Sequence, residues 1–333
     1  MPYCAFGWLV ILEYAPDDAG LRLRQSRMGC PLRAQSRRGR GSIRRPQGSG
    51  ALPARSGAGV LGVEDRQTSI IDPHWCNWRG DTVDEAELSL RRSQMGRSAR
   101  SFLAPGRHRL EDQGPGYWVA LSGAPGPDAN MALVDSSDPA VLATVLRQIQ
   151  DSGFPTLCML AGAGRRSELG AGWQHLGDMP FMAFALAGTH PLPDGRVRQA
   201  GIDDFDIVSE LVASSFGLTQ EIGDVAAGIL KLGDAAGKIW LLIDDPRAVS
   251  TVLTPIIDDA VCVWCMGTPA RFARRGYGRS LLTDVLLRAQ FEGASIGLLG
   301  ATQAGKPLYD ATGWTTLEQW QLYLKAGPAH QSR

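Results

Sequence analysis

The sequence has no apolar run long enough to cross a membrane as a helix. Cys4 to Leu12, its most apolar N-terminal stretch, falls well short of the ~20 residues a span needs. No basic residue precedes that stretch, and Glu13, Asp17 and Asp18 follow it, so it reads poorly as a signal peptide. Cysteine is sparse: six residues (4, 30, 76, 158, 262, 265) lie at irregular intervals, which excludes a small disulfide-stapled scaffold. A reducing, cytoplasmic setting is the expectation. Metal-ligand spacing is missing too. Asp72-Pro73-His74-Trp75-Cys76 offers one His and one Cys with no second pair, so no metal is expected. Lysine is nearly absent, at positions 231, 238, 306 and 325 alone, and the basic residues are otherwise arginine.

There is also no net charge, with 34 basic against 34 acidic residues, but that balance hides a split. Residues 1–56 carry ten arginines against three acids, a local +7, which leaves −7 for the remainder. Residues 1–80 show no sustained period of 2 or 3.6, and segments such as Arg37-Arg38-Gly39-Arg40-Gly41-Ser42 cannot bury enough apolar surface to offset chain entropy. A disordered, Arg-rich arm is expected there. Such an arm could bind nucleic acid electrostatically, but an incidental tail is the simpler reading, and neither nucleic acid nor membrane is expected as a partner.

What is present is a chain of 333 residues, enough for about two domains, and an alternation of strands and helices that predicts a mixed α/β fold. Val83–Leu103, with Ala86, Leu88, Leu90, Met95 and Phe102 among charges, predicts an amphipathic helix. Strands are expected at Tyr117–Leu121 and Met131–Val134, joined by turn residues Gly123 to Asp128. A helix follows at Pro139–Gln150, capped by Ser137 or Asp138, then a strand at Thr156–Leu160, a helix near Arg165–Leu176 and a strand at Pro180–Leu186. The Gly188–Gly195 segment reads as a linker, dividing an accessory domain (81–190) from a C-terminal domain (195–326).

The second domain repeats the alternation. Strands are expected at Arg196–Ala200, Ile239–Ile243, Ser250–Pro255, Ala260–Met266, Ile296–Ala301 and Leu317–Leu324. Helices are expected at Asp203–Phe216, Ile222–Leu232, Gly276–Glu292 and Lys306–Ala311. Between the strand ending at Met266 and the helix beginning at Gly276 lies Gly267-Thr268-Pro269-Ala270-Arg271-Phe272-Ala273-Arg274-Arg275-Gly276-Tyr277-Gly278. A helix N-terminus offers amides without intrahelical partners and a partial positive charge, which suits a phosphate. Gly276 and Gly278 lack a Cβ and let the backbone approach one closely, while Arg271, Arg274 and Arg275 can add charge-assisted bonds.

This loop resembles the pyrophosphate motif of the GNAT superfamily of N-acetyltransferases, Arg/Gln-x-x-Gly-x-Gly/Ala, matched by Ala273-Arg274-Arg275-Gly276-Tyr277-Gly278 except at its first position. A second block, Lys306-Pro307-Leu308-Tyr309-Asp310-Ala311-Thr312-Gly313-Trp314, resembles that family's leucine-tyrosine and glycine-aromatic signature, in the right order and at the right distance. The resemblance covers about residues 196–325. It implies a twisted central sheet flanked by helices, acetyl-CoA as co-substrate and a small-molecule or peptide amine as acceptor. It further implies that the backbone of Cys265, Met266 and Gly267 holds the pantetheine arm and that the amides from Ala273 through Arg274, Arg275, Gly276 and Tyr277 to Gly278 hold the pyrophosphate. Tyr309 would protonate the departing thiolate. A phenol with an ordinary pKa of about 10 is protonated at neutral pH and can serve as that acid. The attacking amine needs a base, yet Cys262-Val263-Trp264-Cys265-Met266 contains no carboxylate. Asp258 and Asp259 lie in the turn before this strand and Glu221 in the expected acceptor-side helical region, without a pattern that selects among them.

Three features invite other readings. Gly300-Ala301-Thr302-Gln303-Ala304-Gly305-Lys306 approaches a Walker A loop, but Pro307 stands where the magnesium-binding hydroxyl belongs. Cys262-x-x-Cys265 lies on a strand, where an offset of three sends the side chains to opposite faces. Residues 81–188 read either as a degenerate copy of the same fold, whose nearest approach to a phosphate loop is Ala161-Gly162-Ala163-Gly164-Arg165-Arg166, or as an unrelated α/β cap. A catalytically silent CoA-binding module is the competing function.

Overall fold

A computed structural model of the chain describes residues 83–99, 101, 110–186 and 193–327, all within one contact unit. The expected basic arm, the His74/Cys76 segment and most of the expected linker lie outside the described residues.

The first described helix, α1 (Glu85–Ser98), is capped by Asp84, whose carboxylate accepts from the Glu87 N–H at 2.8 Å. Its buried face is not the apolar one expected. Ala86 and Leu90 are exposed, while Arg91, Arg92 and Gln94 are buried with Met95. The reason is electrostatic. Arg91 meets Glu87 and Asp259 at 2.7 Å each, and Arg92 pairs with Glu85, Asp135 and Glu318. These carboxylates let the helix bury guanidinium groups that would otherwise be too costly to desolvate.

Strands β1 (Leu110–Gly114), β2 (Tyr117–Leu121) and β3 (Asn130–Val134) form an antiparallel meander. Helix α2 (Pro139–Ser152), capped by Asp138 and stopped by left-handed Gly153, crosses to β4 (Thr156–Leu160), which runs parallel to β3. The expected helix near residues 165–176 does not form. Gly162–Arg166 is a short 3-10 turn, and the chain then enters the long strand β5 (Trp173–Ala185). Gly170, Gly172 and Gly177, at φ +77°, +89° and +126°, hold left-handed conformations that no right-handed helix can include.

The second half opens with β6 (Val197–Gln199) and the helices α3 (Phe205–Phe216) and α4 (Gln220–Ala227). Strands β7 (Lys238–Asp244) and β8 (Arg247–Thr254) form a hairpin, followed by the short β9 (Ile256–Ile257), β10 (Ala260–Cys262) and β11 (Trp264–Gly267). Helix α5 (Tyr277–Phe291) leads to β12 (Ile296–Gly300), and the five-residue α6 (Lys306–Asp310) to β13 (Thr315–Lys325). Along α5, Leu281, Leu282, Val285, Leu286 and Ala289 recur at helical spacing and are all buried. Each larger side chain among them contributes roughly 1.5–3 kcal/mol by leaving water.

The strands form a nine-stranded sheet in the order β1-β2-β3-β4-β13-β5-β12-β10-β9 and a four-stranded sheet β11-β8-β7-β6. In each half a parallel pair is joined by a helix: β3–α2–β4 and β10–α5–β12. The long strand that follows each pair then crosses over. β5 pairs with β12 of the second half, β13 pairs with β4 of the first, and β5 and β13 pair with each other at the centre. Among the described residues, no helix is long and apolar enough to cross a membrane.

Candidate functional site

The site begins where one strand changes partners. β10 runs parallel to β12 with Ala260 opposite Ile296 and Cys262 opposite Leu298, and Val263 N–H donates to Leu298 O at 2.8 Å. The chain then leaves β12 and joins β8, with Trp264 opposite Leu253 and Gly267 opposite Thr251. The register shift between those pairs is a bulge, and Cys265 sits in it at φ +47°, a conformation uncommon for a residue with a Cβ. The single expected strand Ala260–Met266 is therefore two pieces in two sheets. The bulge also resets side-chain alternation. Val261, Val263 and Met266 point into the core under α5, whereas Cys265 lines a small apolar cavity against Val208, Val212 and Ala226 of α3 and α4. Cys262 lies 3.9 Å from Gln94 O on α1, on that same face, so the expectation of opposite faces for the two cysteines does not hold. Both are free and buried, and burial pushes each thiol up to about 12.

Gly267 is a glycine for packing reasons, since a Cβ there would fall 2.6 Å from Ser215 on α3. Its carbonyl accepts from Ser250 Oγ at 2.8 Å, and Ser250 also meets Thr268 Oγ1 at 2.8 Å, fixing the end of β11. The chain then makes a 3-10 turn at Ala270–Phe272. Ala273 N–H donates to Ala270 O at 3.2 Å, so that amide is engaged in the turn. Beyond it the backbone goes left-handed at Arg274 (φ +67°) and again at Gly276 (φ +82°), the N-cap of α5. Left-handed residues this close together turn N–H groups toward one side, a concavity suited to anions. The first helical bond is Ser280 N–H to Gly276 O at 3.0 Å, so the amides of the first turn lack intrahelical partners.

The space at the two glycines differs. A Cβ on Gly276 would meet no atom within 4 Å, and one on Gly278 would stand 3.5 Å from Met266 Cε and Thr268 Oγ1. Arg274 and Arg275 are exposed at the rim, whereas Arg271 is paired with Glu210 at 2.8 Å. The Tyr277 ring is buried and its hydroxyl donates to Asp244 at the end of β7, leaving only its amide to face the loop.

Tyr309 comes to the same end of the strands from α6. Its ring is fully buried and packs edge-on against Trp314 with centroids 5.7 Å apart, and its hydroxyl lies 3.8 Å from Met266 Sδ. Burial raises its pKa well above the ordinary phenol range, so it stays protonated. The structure thus brings Cys265, Met266, Gly267, Tyr309 and the loop 273–278 to one end of the β10–β12 pair. It keeps Asp258 and Asp259 away, at the opposite end of β10, where they pair with Arg97 and Arg91 of α1. Glu221 is exposed on the first turn of α4. Lys306, the Walker-like lysine, pairs with Asp310 at 2.7 Å. Among the described residues no group of His, Cys, Asp and Glu could hold a metal.

The corresponding end of the first half is closed. Ala161 N–H still bonds Val134 O at 2.9 Å, so β3 and β4 remain paired to their ends. The Gly-rich turn beyond them faces carboxylate and guanidinium: Gly162 N–H donates to Glu318 at 3.3 Å, and a Cβ on Gly162 would sit 2.7 Å from Arg92. Asp128, read from sequence as part of a turn, is 4% exposed on the 3-10 turn Pro127–Ala129 before β3.

A strand that changes partners at a bulge, a glycine-rich helix start and a buried tyrosine thus meet at one end of the β10–β12 pair. No protein-family model matches the sequence, and no curated protein is significantly similar to it. Solved structures are similar. A GCN5-related N-acetyltransferase from Kribbella flavida aligns with a TM-score of 0.51 at 17% identity, over 72% of this chain and 96% of that one. A GCN5-related N-acetyltransferase from Sphaerobacter thermophilus aligns with a TM-score of 0.44 at 18% identity, over 65% of this chain and 82% of that one. The chain has the GNAT N-acetyltransferase fold.

Proposed function

We propose that the protein is an acyl-CoA-dependent N-acetyltransferase that moves an acetyl group from acetyl-CoA to an amine by direct attack. The observation that carries this reading is the departure of β11 from β12 at Cys265, beside the left-handed Gly276 start of α5 and the Tyr309 hydroxyl. Cys265, Met266 and Gly267 would present backbone groups to the pantetheine arm. The first-turn amides of α5, with Arg274 and Arg275 at the rim, would take the pyrophosphate. The thioester supplies an activated acyl carbon. Tyr309, kept protonated by burial, holds the proton that a leaving thiolate needs. The first half, with its matching β3–α2–β4 order and its closed end at Arg92, fits a degenerate copy that shapes the acceptor side.

Isothermal titration with acetyl-CoA, followed by thiol release across a panel of primary amines, tests the proposal. Binding with turnover on at least one amine is expected. Binding without turnover would favour a silent CoA-binding module, a reading supported by Ala273 and by the lack of a carboxylate on residues 262–266. No binding would overturn both.

A further inference from the structure

We propose that Ser215, on the last turn of α3, is a binding residue for acyl-CoA: its hydroxyl hydrogen-bonds an amide of the pantetheine arm beside Gly267. This rests on the acetyltransferase reading above, which gives the arm its place along residues 265–267.

Two observations carry it. The first is an unsatisfied hydroxyl. Ser215 is 2% exposed, and among the described residues its Oγ has no hydrogen-bond partner. A serine inside a helix commonly bonds the carbonyl four residues back. Its neighbour Ser214 does so, donating to Glu210 O at 2.7 Å, whereas Ser215 makes no such bond to Leu211. A buried hydroxyl without a partner costs stability, and a ligand that supplies the partner recovers that cost on binding.

The second is where the hydroxyl lies. A Cβ on Gly267 would fall 2.6 Å from Ser215 Oγ, so the bare glycine lets the hydroxyl rest directly against the strand backbone. The hydroxyls of Ser250 and Thr268 at this point are already engaged: Ser250 donates to Gly267 O and meets Thr268 Oγ1, each at 2.8 Å. Past the bulge, side-chain directions alternate along β11. Met266 turns toward α5 and Gly267 toward α3, so the strand end has a hydroxyl on each face, Tyr309 beside Met266 and Ser215 beside Gly267. Both are buried, and an arm entering between β11 and β12 reaches them by widening the parting there. A serine hydroxyl both donates and accepts, which suits it to either end of an amide.

The test uses the full chain with Ser215→Ala and two probes in calorimetry. One is acetyl-CoA; the other is the nucleotide fragment of CoA that ends at its pyrophosphate and lacks the arm. Loss of one neutral hydrogen bond should weaken acetyl-CoA binding about 5- to 10-fold and leave the fragment within about 2-fold. The thermal midpoint of the ligand-free variant should equal or exceed that of wild type, because the unsatisfied hydroxyl is gone. A merely structural role would instead lower the midpoint and weaken both probes alike. Unchanged acetyl-CoA affinity, or an equal loss with both probes, would overturn the assignment while leaving the acetyltransferase reading intact. A raised KM for the amine as the sole change would also overturn it, by moving the hydroxyl to the acceptor. Absence of acetyl-CoA binding by the wild type would overturn the acetyltransferase reading, and the role of Ser215 with it.

Discussion

The Tyr309 hydroxyl lies 3.8 Å from Met266 Sδ, joining α6 to the far side of the bulge in β11. A thioether is a weak acceptor, so this phenol keeps its proton without being held by a strong partner. Replacing Tyr309 with Phe removes the hydroxyl and leaves the ring packed on Trp314. Turnover should fall about 100-fold or more while acetyl-CoA affinity changes by no more than a factor of about two. Steady-state thiol release and calorimetry measure the two, and unchanged turnover would reduce Tyr309 to a packing residue.

Gly276 opens α5 at φ +82° with empty space where a Cβ would go. Gly276→Glu puts a carboxylate at an anion-binding helix start and forces a left-handed conformation costing about 1–2 kcal/mol. Acetyl-CoA binding should be lost, while urea unfolding shows only that modest destabilisation. Retained affinity would move the pyrophosphate elsewhere.

Arg92 is the charged centre of the first half. Burial works against its charge, yet Glu318 and Glu85 hold its pKa above the already high guanidinium range. Arg92→Met leaves Glu318 and Asp135 with no guanidinium between them, and breaking such a buried pair costs about 3–5 kcal/mol. Urea denaturation should show that loss. A variant with Arg92→Met and Glu318→Gln together should recover part of it.

Asp194 ties the start of the second half to α5. Its carboxylate accepts from Arg196 and Ser280, which hold its pKa well below the usual aspartate value. A depressed folded-state pKa stabilises the fold at pH above the unfolded value and loses that effect as pH falls toward the folded one. Asp194→Asn should therefore be less stable than wild type at neutral pH. The difference should shrink as the pH drops below about 4. Thermal melts across pH check the sign.

Much of this could be read from residue patterns. The β-branched and aliphatic runs at Tyr117–Leu121 and Thr156–Leu160 are strands with the expected bounds, and the apolar stripe of α5 is buried as its spacing requires. The failures have physical causes. β1, Leu110–Gly114, is polar along most of its length and is held by pairing with β2, so no periodicity announces it. The helix expected near Arg165–Leu176 is excluded by two left-handed glycines within it, Gly170 and Gly172. At the site, the glycines and Tyr309 stand in contiguous motifs and were visible. The bulge at Cys265 was not, because its left-handed residue carries a side chain instead of being a glycine.

The crossing of β5 and β13 has a consequence for how the protein is made. A ribosome that has finished α6 has produced β4 with only β3 to pair with on one side, and β5 with only β12. Both open edges wait for Thr315–Lys325, whose arrival closes the two halves at once. Until then each exposed edge is a template for a neighbouring nascent chain, so synthesis that stops short of β13 should yield aggregates instead of a smaller folded protein.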